Sequence, residues 1–485
     1  MSETARIIIG YIVFTVYTCS IMYAGVLLEK KTNINKTVCR KLTHVVSAFV
    51  WVICYFFFGC SIHWVLLNGI GAVALGFVTF GAKFQAFERE DAKSSLGLFY
   101  FGLSTFVTAL ICYLVGPELY LYTGIAYYCL ALGDGLAPIC AMLAKKNVQI
   151  MPHKTLVGSL SVYMISFLST LVFSWIFGMQ LDVLFMLSIA ALTCVAEFYG
   201  LKGTDNLLIE FLVFGYLVMH HYGLVGLQLE LVLCISPLLA FAAVGLGAMT
   251  PGAGFFAFGL FALTGFFGQG FLPVVFIAVL FGISTVVNVL GKRLGKKTGS
   301  KADHAPRKAR QIVAVGLAAL VFLGIHYFTG IKLFYYLFFL SLTEQFADSM
   351  ASDIGSLIGK KNFNIMTRHP MEKGLSGGVS LQGTFCALLA SFVLMLLPLV
   401  CGAVSWQAYV IVSLLAFLGT VVDSVAGAVL QALYECPVCK CKVEHRLHCG
   451  EKAHLIKGFD HIDNTAVNYI ANLVTCAAGC VLLLI

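Results

Sequence analysis

The sequence predicts an all-α, polytopic integral membrane protein of about fifteen transmembrane helices in two bundles, and three observations lead there. Hydrophobic residues make up 60% of the 485 positions. Charged residues are 11%, where soluble domains carry about 25%. Apolar stretches of roughly 20 residues, the length that crosses a bilayer, recur from end to end with short polar breaks.

Taken in order, the first stretch, Ile7 to Leu28, is longer than a signal-peptide core and has only Arg6 before it, so it reads as a mature helix. Spans near 43–59, 62–81, 97–115, 120–143, 157–178, 181–199 and 207–222 complete a first unit, residues 1–228. A second unit, residues 229–485, holds spans near 229–247, 254–270, 271–290, 311–329, 333–346, 379–401, 404–433 and 465–485. Within it the glycine-rich run from Gly245 to Gly270 holds either two crossings or one short re-entrant piece, which leaves the helix count open by one.

The formal net charge of +8 would suit a nucleic-acid partner if the basic residues formed one face. They do not. All 31 Lys and Arg except Arg6 and Lys332 fall in the segments 29–44, 82–95, 144–156, 199–206, 292–310, 359–374 and 434–460. Pairs of apolar spans lie between those segments, joined by turns such as Gly116-Pro117-Glu118-Leu119. The positive-inside rule puts all seven on the cytoplasmic side, so the basic excess is topological and no nucleic acid is expected.

Most of the 17 cysteines stand singly in apolar spans, where a thiol packs as a small hydrophobe. Cys436, Cys439, Cys441 and Cys449 cluster, with His445 and His448 between them. They offer soft ligands for a structural zinc, although the spacing fits no common finger.

Two constellations recur in the same order. The first begins with Asp134 in Leu132-Gly133-Asp134-Gly135, where the glycines loosen the helix around a carboxylate. Next comes Lys154-Thr155-Leu156-Val157-Gly158-Ser159, a cation, hydroxyls and a glycine at a helix start, which is a cradle for phosphate. Glu197 and Gly203-Thr204-Asp205-Asn206 follow. The second set is Asp348 in Ala347-Asp348-Ser349-Met350-Ala351, then Lys373-Gly374-Leu375-Ser376-Gly377-Gly378-Val379-Ser380, then Asp423, then Asp463-Asn464.

Lys154 and Gly158 are spaced as Lys373 and Gly377 are, which suggests that the two lysines correspond. Isolated loop acids are mostly helix caps, but ionisable groups at membrane depth are costly and usually functional. A carboxylate beside a lysine and a glycine-rich turn is what a magnesium–nucleotide site needs. Upstream, Arg40, Lys41 and His44 share adjoining helix faces as phosphate ligands. Arg307 and Arg310 are the nearest counterparts in the second unit. Gly291 to Thr298 resembles a P-loop, but the spacing is wrong and no strand precedes it.

At these residues the first unit resembles the phytol kinase and dolichol kinase family, related to phosphatidate cytidylyltransferases, through RKLTH at 40–44, GDG at 133–135, KTLVGS at 154–159 and AEFYGLKGTDN at 196–206. The second resembles domain of unknown function 92, the family of transmembrane protein 19 and plant phytyl-phosphate kinase. It does so through RKARQ at 307–311, ADSMASDIG at 347–355, GLSGGVSLQGT at 374–384, GTVVDSVAGAVLQ at 419–431 and IDNTAVN at 462–468.

The resemblance implies a CTP-dependent kinase that makes an isoprenoid monophosphate, followed by one that makes the diphosphate. Asp134 and Asp348 would hold magnesium, and Lys154 and Lys373 the nucleotide phosphates. Glu197, Asp205, Asp423 and Asp463 would be further metal ligands or bases. Two alternatives are CMP transfer to a lipid phosphate, and a non-enzymatic lipid transporter. Charges gathered at one edge of the spans, rather than strung along them, favour an enzyme.

Overall fold

The structure is a computed structural model that describes residues 2–31, 36–80, 96–144, 147–151, 154–200, 203–298, 306–359, 361–371 and 375–483. The basic loop 82–95, Lys373 and the side chain of Arg40 lie outside the described residues. The chain forms two compact units, Met1–Pro237 and Leu238–Ile485. The division falls inside the helix Leu227–Gly245, whose first turn holds the boundary expected near residue 229.

In the first unit the helices are α1 (Glu3–Lys31), α2 (Lys36–Phe57), α3 (Ile62–Phe80), α4 (Gly97–Val115), α5 (Tyr120–Tyr128), α6 (Gly135–Leu143), α7 (Leu156–Ile176), α8 (Val183–Tyr199), α9 (Thr204–His221) and α10 (Leu227–Gly245). The second unit continues with α11 (Pro251–Phe267), α12 (Phe271–Thr298), α13 (Ala309–Thr329), α14 (Lys332–Ile358), α15 (Leu381–Val400), α16 (Trp406–Val429) and α17 (Asn464–Leu482). Among the described residues, 11 helices are long and apolar enough to cross a membrane by length and composition, and three shorter apolar helices accompany them. The glycine-rich run contributes α11 as one of those shorter helices, and the segment that resembles a P-loop is the end of α12.

Short hairpins punctuate this helical frame. β1 (Gln149–Met151) pairs with β2 (Lys154–Thr155) immediately before α7, and β3 (Phe363–Asn364) pairs with β4 (Gly378–Val379) immediately before α15. Each hairpin ends in a hydroxyl N-cap: Gly158 N–H donates to Thr155 Oγ1 at 3.2 Å, and Gly383 N–H donates to Ser380 Oγ at 3.1 Å. Those bonds satisfy one of the orphan amides at each helix start. Thr155 is the last residue of β2, whereas Ser380 follows β4 by one residue.

Candidate active site

In the first unit, Lys41 Nζ donates to Asp134 Oδ2 at 2.6 Å, and His44 Nδ1 lies 3.7 Å from the same oxygen. Lys41 and His44 are one turn apart on α2 and so share a face. Asp134 ends a π-helical turn, Cys129–Asp134, between α5 and α6. Pro138, four residues on, has no N–H to bond the Asp134 carbonyl, which favours that irregularity. The helix is loosened at the carboxylate, as its glycines predict. Lys41 occupies one of the two carboxylate oxygens of Asp134.

Lys154 Nζ reaches both Oε1 and the carbonyl oxygen of Glu197, each at 2.5 Å. Glu197 also lies within electrostatic reach of Asp134 and Asp205. Asn206 donates through Nδ2 to the Gly97 carbonyl at 2.8 Å, which ties the start of α9 to the start of α4. The hydroxyl of Ser159, one turn into α7, is buried without a hydrogen-bond partner among the described residues.

A cavity of about 570 Å³ ends at these groups. Its polar end carries Lys41, His44, Asp134, Asp205 and Asn206, and its walls include Phe14, Leu67, Ile70, Phe101 and Tyr127. A few converging polar groups at the end of an apolar pocket of this size suit a ligand with a polar head and a hydrocarbon body.

In the second unit the acids stand differently. Glu344 and Asp348 are one turn apart on α14, and Asp423 on α16 lies within electrostatic reach of both. A Cβ on Gly419 would sit 2.5 Å from Glu344 Cγ, so the missing side chain is what lets α14 and α16 close over the acids. Glu344 is fully buried; its Oε2 accepts from Asn472 Nδ2 at 2.6 Å and Gln345 Nε2 at 3.0 Å, while Oε1 has no partner among the described residues. With its amide oxygen and nitrogen exchanged, the orientation that satisfies both ends, Asn468 donates to Asp423 Oδ1 at 3.1 Å. Among the described residues, none of the three acids is ion-paired to a lysine or arginine.

Gly355 and Gly383 bring α14 and the start of α15 together almost backbone to backbone. Gly377 packs on Ala428, and the Ser376 N–H donates to Glu444 Oε1 at 2.7 Å. Gly378 pairs with Asn364 in the hairpin.

Arg310, expected at this site, pairs instead with Asp463 at 2.5 Å on the exposed surface. Such pairs contribute little. Asp463 caps α17 by accepting from the Ala466 N–H, and Asn464 is exposed at the first turn. Arg307, rather than Arg310, lies within electrostatic reach of Asp353, which in turn reaches Asp348.

Glu344 is the functional candidate that the motif reading passed over. It and Glu210 look alike in sequence, since both are lone acids in apolar helices. Glu210 is satisfied by the Ser104 hydroxyl at 2.6 Å and the Thr108 hydroxyl at 2.8 Å, one per oxygen. Glu344 keeps an open oxygen.

The cysteine segment lies between α16 and α17. Cys436, Cys439, Cys449 and His448 bring one ligand atom each within 4.8 Å of one another. The expected fourth thiol, Cys441, is not in that set; His448 takes its place. Hydrogen bonding, first from the Cys439 backbone, draws the Cys436 thiol down to about 6, while the Cys439 side chain pushes the Cys449 thiol up to about 11.

The family described as Integral membrane protein DUF92 matches residues 234–476. Protein VTE6, chloroplastic, of Arabidopsis thaliana is 28% identical over 200 residues, 40% of this chain and 59% of that protein. Uncharacterized membrane protein sll0875 of Synechocystis is 35% identical over 91 residues, 19% of this chain and 35% of that protein. Protein PGR of Arabidopsis thaliana is 30% identical over 139 residues, 26% of this chain and 47% of that protein. The chain thus spans between 35% and 59% of the length of these relatives. No solved structure matches it. With a family match across half of its length and an apolar, helical fold throughout, the chain is an all-α, multi-pass membrane protein that belongs to the DUF92 integral membrane family.

Proposed function

We propose that the chain is a membrane-embedded isoprenoid lipid kinase, in which the first unit phosphorylates a prenyl-type alcohol and the second converts the monophosphate to a diphosphate, with CTP as donor. The observation that carries this reading is the Glu344–Asp348–Asp423 set on α14 and α16, with Glu344 fully buried and the other two partly buried, inside the region that the family covers. Phosphoryl transfer asks a protein mainly for positioning and charge neutralisation. Acids with no ion-paired lysine or arginine among the described residues, one of them with a buried oxygen that no described residue bonds, suit a divalent cation such as magnesium, held by Glu344, Asp348 and Asp423. When bound, magnesium would neutralise the nucleotide phosphates.

The amide-rich start of α15 would bind phosphate oxygens. In the first unit the positive charge is supplied by lysines, Lys41 at Asp134 and Lys154 at Glu197. There the alcohol head would lie against Lys41, His44 and Asp205, with the chain along the apolar cavity. The resemblance of each unit to a lipid kinase family, and the similarity to Protein VTE6, support the assignment.

The active face is proposed to be cytoplasmic, from the distribution of basic residues. Cysteines introduced as Lys93→Cys, Lys301→Cys and Ile365→Cys should react with an impermeant thiol reagent only from the cytoplasmic side. Labelling of any of them from the opposite side contradicts a one-sided active face.

The function itself is tested by offering purified protein labelled CTP or ATP with prenyl alcohols and prenyl monophosphates. Labelled lipid mono- and diphosphates are expected. A CMP-linked lipid with release of pyrophosphate would replace the kinase reading with cytidylyl transfer.

A further inference from the structure

The segment between α16 and α17 is polar, exposed and poorly supplied with core. Its apolar centre is Ala432, Tyr434 and Ala453, with Val443 against them. So small a cluster cannot by itself offset the entropy of ordering a segment of this length. Yet the segment is built with definite geometry.

β5 (Leu433–Glu435) pairs with β6 (Lys442–Val443) and with β9 (His454–Lys457), and a separate hairpin joins β7 (Leu447–His448) to β8 (Glu451–Lys452). Cys436 and Cys439 sit in the turn of the first hairpin, where the Lys440 N–H donates to the Cys436 carbonyl at 3.0 Å. His448 ends β7 and Cys449 opens the turn of the second. Both turns use left-handed backbone just past a ligand or at one, Lys440 at φ 57 and Cys449 at φ 54, conformations that side-chain-bearing residues avoid unless the surroundings hold them.

The two turns converge. His448 Nδ1 lies 3.4 Å from Cys439 Sγ and 3.3 Å from Cys449 Sγ, and Cys436 is fully buried within an otherwise exposed segment. A tetrahedral zinc with Zn–S near 2.3 Å and Zn–N near 2.0–2.1 Å requires sulfur–nitrogen edges of about 3.6 Å. The observed separations are close to those edges.

We propose that Cys436, Cys439, His448 and Cys449 form a structural zinc site of three thiolates and one imidazole, with one pair of ligands from each hairpin. A four-ligand sulfur-rich set with no open position selects zinc in a structural role. The metal would supply the cross-link that the small core lacks, and binding would couple to the folding of the segment. The segment is tied to the rest of the second unit, since Glu444 accepts the Ser376 N–H at 2.7 Å. The site stands apart from the acids of α14 and α16 and does not depend on the lipid-kinase reading.

Metal analysis of full-length protein purified without chelator tests it. About one zinc per chain is expected. Cys439→Ser and His448→Ala should each lose it, and Cys441→Ser should retain it. X-ray absorption at the zinc edge of the unaltered protein, which needs no variant to fold, should show three sulfurs and one nitrogen. Metal-free unaltered protein, an all-sulfur shell, or loss of zinc in Cys441→Ser with retention in His448→Ala would each overturn the assignment.

Discussion

Asp134→Asn should stop conversion of alcohol to monophosphate while supplied monophosphate still becomes diphosphate. The substitution preserves shape and removes the charge that holds Lys41, which is 5% exposed. Breaking a buried pair by removing one partner costs about 3–5 kcal/mol, because the other charge is left without compensation. A positioned charge at the reacting centre contributes on the order of 100-fold in rate.

The first step should therefore fall by about two orders of magnitude or more, and the first unit should also unfold more readily. The double variant Lys41→Met with Asp134→Leu separates the two effects. It removes both charges, so thermal stability should recover most of the loss while activity stays absent. If the double variant regains the first step, the pair is structural only.

Asp348→Asn and Glu344→Gln should do the opposite, leaving alcohol phosphorylation intact and causing monophosphate to accumulate. Glu344 offers an open buried oxygen, so replacing it with Gln keeps the bonds of its other oxygen to Asn472 and Gln345 while it weakens the hold on a cation. A loss on the order of 100-fold in the second step is expected for either variant. Glu210→Gln is the matched control. Both oxygens of Glu210 accept hydroxyl hydrogen bonds, so its effect should appear in stability and not in the ratio of the two products.

Much of this arrangement is legible in the sequence because two rules act locally. Hydropathy places the helices, since a run of apolar residues between basic loops has few other solutions in lipid. The cost of burying charge singles out Asp134, Glu197, Asp348 and Asp423. What escapes is set by distance along the chain. Lys41 and Asp134 are 93 residues apart, and no spacing rule connects them.

Thr155 and Ser380 each accept from the amide three residues on, caps that the Lys–Gly spacing does not reveal. The choice of His448 over Cys441 depends on which side chains converge between the two hairpins, which the number of intervening residues does not reveal. Glu344 and Glu210 differ only in their neighbours across the bundle, Asn472 against Ser104 and Thr108.

The most direct test of the lipid-kinase account is the fate of the label when purified protein receives a prenyl alcohol and CTP carrying its label on the γ-phosphate. The account predicts label in the lipid monophosphate first and in the diphosphate later, with Asp348→Asn arresting the sequence at the monophosphate. Label released as pyrophosphate while the lipid gains CMP, or no labelled lipid from any prenyl alcohol or monophosphate, would contradict it.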